Sequence, residues 1–338
     1  MAGAIPKRVA TIDLARGLLA FGVMLYHCLH YTGIVTIPQI GTFGVYCFFA
    51  ISGFSLYIVY RDRLISDAAV RTYFVRRFLR IAPLYYAAMA IGAAAYGLEN
   101  FSHLRVGLNA TFLFGWTNPG ETALVTGGWS IGIETVFYAI FPIVILAAGG
   151  NLLRLTLLTA VVLSAQFLYV NEVLATGTVV TEWVRYTQPI AFGGYFVAGC
   201  LVGEIYMRRP SWKGSAVAWV AAAVVLLPIA LSPLDYGIVS GAQGVVLALC
   251  GIGLMAAVAF LPEPRGLMKA AALSLGRLSY PVYLLHTIVF DKLWAGIDSA
   301  AVLIPLTIVV TMVVSELVSR VIEEPARRYG RALQSATP

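Results

Sequence analysis

The chain has 338 residues, 60% of them hydrophobic and only 12% charged. A soluble domain carries about 25% charged residues, so this composition excludes an ordinary soluble protein and requires a multi-spanning membrane protein. The net charge of +7 would suit nucleic acid elsewhere, but here the Lys and Arg residues sit between apolar stretches, as membrane topology demands, and no nucleic-acid partner is expected.

Apolar stretches near the length of a bilayer crossing fall at about 9–31, 40–60, 77–97, 129–148, 152–170, 188–207, 214–231, 238–260, 273–294 and 300–322. The expected fold is an all-α polytopic bundle of about ten transmembrane helices in a single domain over 1–338, with no separate soluble domain. Lys7 and Arg8 resemble the start of a signal peptide, but Asp13 and Arg16 interrupt the apolar run that would have to follow. The first segment is therefore expected to stay as a helix. The stretch 98–128 reads as the longest loop, and its LNATFLFGW, apolar yet too short to span, reads as an interfacial or re-entrant element.

Charge tests the count. With the N-terminus in the cytoplasm, that side receives nearly all the basic residues, among them Lys7, Arg8, Arg61, Arg63, Arg71, Arg76, Arg77, Arg80, Arg208, Arg209, Arg277, Arg327 and Arg328. Only Arg105, Arg185 and Lys292 fall opposite. The cytoplasmic Lys/Arg excess of membrane proteins fits ten helices with both termini inside. Cys28, Cys47, Cys200 and Cys250 all lie in apolar segments at spacings of neither a disulfide framework nor a metal site, and no metal is expected.

The first helix carries two ionisable groups, Arg16 and His27. Eleven residues bring the helix back to within about 20° of its starting direction, so both share one face, about 16 Å apart along the axis. Groups at such depth face a protein interior or a water-filled cavity and mark substrate, ion or proton paths. Asp13, three residues before Arg16, offers it a neutralising partner, and arginine can also snorkel to the interface. His27 is the titratable base deep in this helix, suited to taking and returning a proton near neutral pH. The third helix opens on RTYFVRRFLRIAPLYY, where Arg77 and Arg80 are three apart with Arg76 beside them. Guanidinium pairs of this kind bind phosphate in forked geometry, as in a nucleotide or coenzyme A, and equally anchor a helix on lipid headgroups. Glu134, in GGWSIGIETVFYAIFP, lies just below the outer surface if Trp129 is an interfacial anchor; it is placed to orient His27 or to make a bundle contact. His286 follows Tyr280 and Tyr283 in the ninth helix, and Glu323 and Glu324 read as the end of the last helix, paired with nearby arginines.

Six stretches in this order resemble the membrane acyltransferase 3 family: IDLARGLLAFGVMLYH, GVYCFFAISGF, RRFLRIAPLYY, WSIGIETVFYAIFP, LGRLSYPVYLLH and VIEEPARR. They run from residue 12 to about 328. The resemblance implies an O-acyltransferase that takes an acyl group, acetyl or succinyl, from cytoplasmic acyl-coenzyme A as co-substrate, with no tightly bound cofactor. The implied acceptor is a polysaccharide or oligosaccharide at a bacterial inner membrane. By resemblance Arg16 and His27 form the central pair, with Arg77 and Arg80 helping to bind the donor's phosphates. Placed on these, Glu134 is expected to orient His27 or the sugar, Arg16 and Arg76 to meet the donor as well, and Trp129, Ser130, Tyr283 and His286 to meet the acceptor. Two departures bear on acceptor specificity: Thr135 and Val136 follow the fourth-helix glutamate where the family often has polar residues, and Glu324 precedes Pro325 where a basic residue is usual. The rival reading is a secondary transporter or flippase using Arg16, His27 and Glu134 as an intramembrane relay, although no internal repeat of the kind common in such folds is seen.

Overall fold

Within hydrocarbon every backbone amide must find its partner inside its own segment or a closed barrel, and this chain takes the helical solution. A computed structural model describes residues 8–64, 66–99, 101–232 and 239–335, among which there is no strand. In chain order the helices are α1 (Ala10–Tyr31), α2 (Pro38–Tyr60), α3 (Asp67–Tyr96), α4 (His103–Ala110), α5 (Pro119–Thr122), α6 (Gly128–Ala148) and α7 (Leu152–Val173). They continue as α8 (Trp183–Tyr186), α9 (Gly193–Arg208), α10 (Ala216–Ala230), α11 (Gly241–Phe260), α12 (Gly266–Trp294), α13 (Ala300–Val318) and α14 (Glu324–Ser335).

Among the described residues, seven helices are long and apolar enough to cross a membrane: α1, α2, α3, α6, α7, α11 and the continuous run Ala300–Gly330. The chain is a multi-pass membrane protein. Three expected spans fall outside this set for physical reasons. Helices α9 and α10 have 16 and 15 residues, short of the roughly 20 that a perpendicular crossing needs. Helix α12 has 29 residues, but Arg277, Ser279, Tyr280, Tyr283 and His286 dilute the apolar character of its middle.

Several expected boundaries move. The third helix begins at Asp67 rather than 77, because the Ser66 side chain caps it by accepting from the Ala69 amide at 3.3 Å. Its arginine motif is therefore inside the helix and not at its opening. The ninth expected span begins at Gly266 rather than 273. The segment 98–128 is not an open loop: α4 leads through Phe112, left-handed at φ 59°, into a 3₁₀ turn at Leu113–Trp116 and then α5. The last helix does not stop at the glutamates. A π turn at Ser319–Glu323, closed by the Glu324 amide donating to the Ser319 carbonyl, carries the chain into α14 immediately before Pro325, which has no amide hydrogen to give to the preceding turn. Glu323 and Glu324 do meet arginines, Arg327 at 3.2 Å and Arg328 at 2.6 Å. Lys7 and the start of the expected 238–260 helix lie outside the described residues.

Small residues set how closely the helices approach, as is usual where lipid offers no hydrophobic drive for association. Helix α1 packs on α12 and α2 on α9. A Cβ added to Gly53 would sit 2.0 Å from the Phe196 carbonyl oxygen, and one on Gly199 2.0 Å from that of Ala50. Backbone cannot yield as a side chain can, so Gly53→Val is expected to cost about 3 kcal/mol, read as a lower thermal midpoint in detergent. An unchanged midpoint would show that α2 and α9 do not approach this closely. The same helix pair is tied at one end by Glu204, a fully buried carboxylate that accepts from the Tyr57 hydroxyl at 2.9 Å and pairs with Arg61 at 3.1 Å and Arg208 at 2.5 Å. Helix α1 has no side-chain cap of its own; instead both carboxylate oxygens of Glu263 accept from the Ala10 amide, at 3.2 and 3.0 Å. A negative group at a helix N-terminus is favoured by the helix dipole.

Candidate active site

Helix α1 organises the site. Asp13 makes no ion pair with Arg16; its carboxylate is engaged by Arg8, which enters from the segment before the helix through Nε and, at 3.0 Å, Nη2. Arg16 is left with no hydrogen bond or ion pair among the described residues. It lines a narrow inner chamber of about 70 Å³ together with Arg80 of α3, Glu134 and Ser130 of α6, and Tyr280 and Tyr283 of α12. On the side toward the N-terminus of α1, Arg16 also lines a small cavity of about 100 Å³ with Arg8, Ile12 and Asp13.

Beyond Val45 and Tyr283, which line both, the inner chamber abuts a larger outer cavity of about 420 Å³. His27 and Tyr31 of α1 line it, with Trp129 of α6 and Trp183 and Tyr186 of α8. The two tryptophans meet edge to face with ring centroids 5.2 Å apart, and Trp183 donates to the Gly120 carbonyl at 3.2 Å. Arg16 and His27, expected on one face, thus occupy successive cavities along one helix.

The immediate partner of His27 is His286, which is buried between α12 and α1. His27 Nδ1 lies 2.8 Å from His286 Nε2, and His286 Nδ1 lies 2.9 Å from the Val282 carbonyl oxygen one turn back in α12. The imidazoles are nearly parallel at 10°, and the Tyr31 ring stacks with His27, centroids 5.4 Å apart and planes within 6°. His27 Nε2 has no partner among the described residues.

Glu134 makes no bond to His27. Its Oε1 accepts from Ser52 at 2.8 Å and from Tyr138 at 2.6 Å, which holds the carboxylate in the inner chamber facing the arginines. Arg80 faces that chamber, whereas Arg77 does not. Arg77 lies between the rings of Tyr60 and Tyr138, at 5.4 and 5.6 Å from their centroids, and lines a separate groove of about 220 Å³ with Phe78 and Trp116. Arg76 lies 5.9 Å from the Tyr60 ring. Ser130 and Tyr283 place their hydroxyls 2.8 Å apart at the junction of the two cavities. Tyr138 escaped the sequence reading although it sits four residues after Glu134, the spacing that puts two side chains on one helical face. Trp183 gave no comparable signal, because its segment is joined to the cavity only by tertiary structure.

A family model described as an acyltransferase domain matches residues 9–320. The chain belongs to that acyltransferase family. The matched range takes in both cavities and every residue named in them. The chain is also 26% identical over 330 residues to the exopolysaccharide production protein ExoZ of Rhizobium meliloti (strain 1021), covering 91% of this chain and 96% of that one. No solved structure matches the chain. The acyltransferase resemblance carried by the six sequence motifs and the family match agree.

Proposed function

We propose that this membrane acyltransferase moves an acyl group, acetyl or succinyl, from cytoplasmic acyl-coenzyme A to a sugar hydroxyl of a cell-surface polysaccharide or its lipid-linked precursor. The observation that carries the reading is the pair of abutting cavities: unpaired Arg16 and Arg80 in the narrow one, an unpartnered imidazole nitrogen at His27 in the wide one. The proposed topology is ten crossings of a bacterial inner membrane with both termini cytoplasmic. Helices α9 and α10 then cross a thinned or protein-shielded region, and the inner chamber opens toward the cytoplasm. The exopolysaccharide role in the name of the Rhizobium relative supports the acceptor class.

Anionic donor groups pair with the guanidinium forks of Arg16 and Arg80, and Glu134 fixes the polar wall opposite them. The pantetheine arm runs along α1 toward His27, a span of about 16 Å that an extended arm matches. In the outer cavity, Trp129 and Trp183 present apolar ring faces to a sugar. His27 Nε2 takes the proton of the attacking hydroxyl as its oxygen bonds to the thioester carbon. The carbon–sulfur bond then breaks, and the leaving thiolate of coenzyme A receives the proton from the imidazolium.

Purified protein in lipid nanodiscs, given acyl-labelled acyl-coenzyme A and an exopolysaccharide oligosaccharide, is expected to transfer label covalently to the sugar. Exchange of oligosaccharide across a vesicle membrane without covalent label would replace this reading with that of a transporter.

A further inference from the structure

We infer that His286 is a positioning residue that sets the tautomer of His27 and so leaves the cavity-facing nitrogen free to accept a proton. The inference deepens the proposed function and rests on His27 acting as the base.

The chain of hydrogen bonds runs outward from a backbone carbonyl. The Val282 oxygen can only accept, so His286 Nδ1, 2.9 Å away, must carry the hydrogen. A neutral imidazole has one N–H, hence His286 Nε2 is a bare acceptor. His27 Nδ1 faces that acceptor at 2.8 Å and therefore donates. One proton remains to be placed in neutral His27 and it is already used, so His27 Nε2 carries a lone pair. The reversed arrangement, with His286 Nε2 donating, would set the bare His286 Nδ1 against the Val282 oxygen, two acceptors at hydrogen-bonding distance in a buried place. That costs a buried unsatisfied pair.

Geometry reinforces the chain of bonds. The two rings are within 10° of parallel, Tyr31 stacks on His27, and His286 is shut between α12 and α1. His27 therefore has little freedom to rotate and exchange its nitrogens. When His27 takes a proton during transfer, the new charge is shared through His286 toward the carbonyl. A carboxylate fills this orienting place in many hydrolases; here no carboxylate bonds to either imidazole among the described residues.

Nitrogen-15 spectra of histidine-labelled protein in lipid read the tautomer directly. The expected result for the unaltered protein is a pyrrole-type Nδ1 and a pyridine-type Nε2 at His27, with resonances assigned by their loss in His27→Asn. In His286→Leu the His27 pattern is expected to shift toward protonated Nε2. Acyl transfer should then fall at least about 10²-fold in kcat with the KM for acyl-coenzyme A little changed. His286→Gln, which offers an amide oxygen near the position of Nε2, should recover part of both the spectrum and the turnover. A protonated Nε2 at His27 in the unaltered protein would overturn the inference, as would a pattern in His286→Leu identical to the starting one. The spectrum needs no activity: if His27→Asn kept full turnover, the base assignment would fail while the tautomer result stood separately.

Discussion

Replacing His27 with alanine is expected to reduce acyl transfer by about 10²–10⁴-fold, the usual contribution of a positioned acid–base group. Donor affinity should hardly move. The reason lies in what else lines the outer cavity. Its polar side chains other than His27 are tyrosines, threonines and tryptophans, with no carboxylate or amine among the described lining residues. Hydroxyls and indoles do not accept a proton near neutral pH, so nothing nearby can take over the role. Glu134 is the carboxylate the sequence motifs offer for the role, yet it is held by Ser52 and Tyr138 in the adjoining chamber. His27→Asn serves as a second variant, since an amide can keep a hydrogen bond to His286 while offering no base. The measurements are turnover at saturating donor and calorimetric binding of coenzyme A. Full turnover in either variant would remove His27 from the chemistry; loss of coenzyme A binding in both would indicate a role in holding the donor instead.

The common face of Arg16 and His27 was readable because helical period alone decides it, and α1 is unbroken between them. The arginine motif shows where such reading stops. Residues three apart on a helix differ by about 60° in direction, which at the surface of α3 suffices to send Arg80 to the inner chamber and Arg77 to the groove, with Ile81 lining both. Spacing gave one face; packing divided it. Asp13 is a similar case. Its three-residue spacing to Arg16 suggested a pair, but Arg8, in the segment before the helix, reaches the same carboxylate. The start of α3 is legible in Ser66 and Asp67 as a cap, but hydropathy alone does not mark it, because Arg71, Arg76 and Arg77 follow. The bond between His27 and His286 joins residues 259 apart in sequence; only the docking of α1 on α12 brings them together, and no local pattern encodes it.

Arg16→Gln and Arg80→Gln are each expected to weaken binding of acyl-coenzyme A by about 10–100-fold, the effect of losing one charged hydrogen bond worth about 1.5–3 kcal/mol. Neither guanidinium has a hydrogen bond or ion pair among the described residues, and both line the same narrow chamber. Two like charges lining one narrow chamber repel in the free protein and are reconciled by an anion between them. The first substitution therefore removes both an attractive contact and part of that repulsion, and the double variant should lose less than the product of the single effects. Added salt should weaken binding in the unaltered protein more than in the double variant, because screening acts on the charges that remain. Arg77→Gln is the informative contrast. Its side chain lies between the rings of Tyr60 and Tyr138, donates through Nη2 to the Tyr60 hydroxyl at 3.4 Å and lines a different groove from Arg16 and Arg80, so its effect on affinity should be several-fold smaller. An Arg77 effect equal to that of Arg80 would place the donor phosphates in the groove beside Phe78 and Trp116, and the path along α1 would then have to begin on the other side of Ile81.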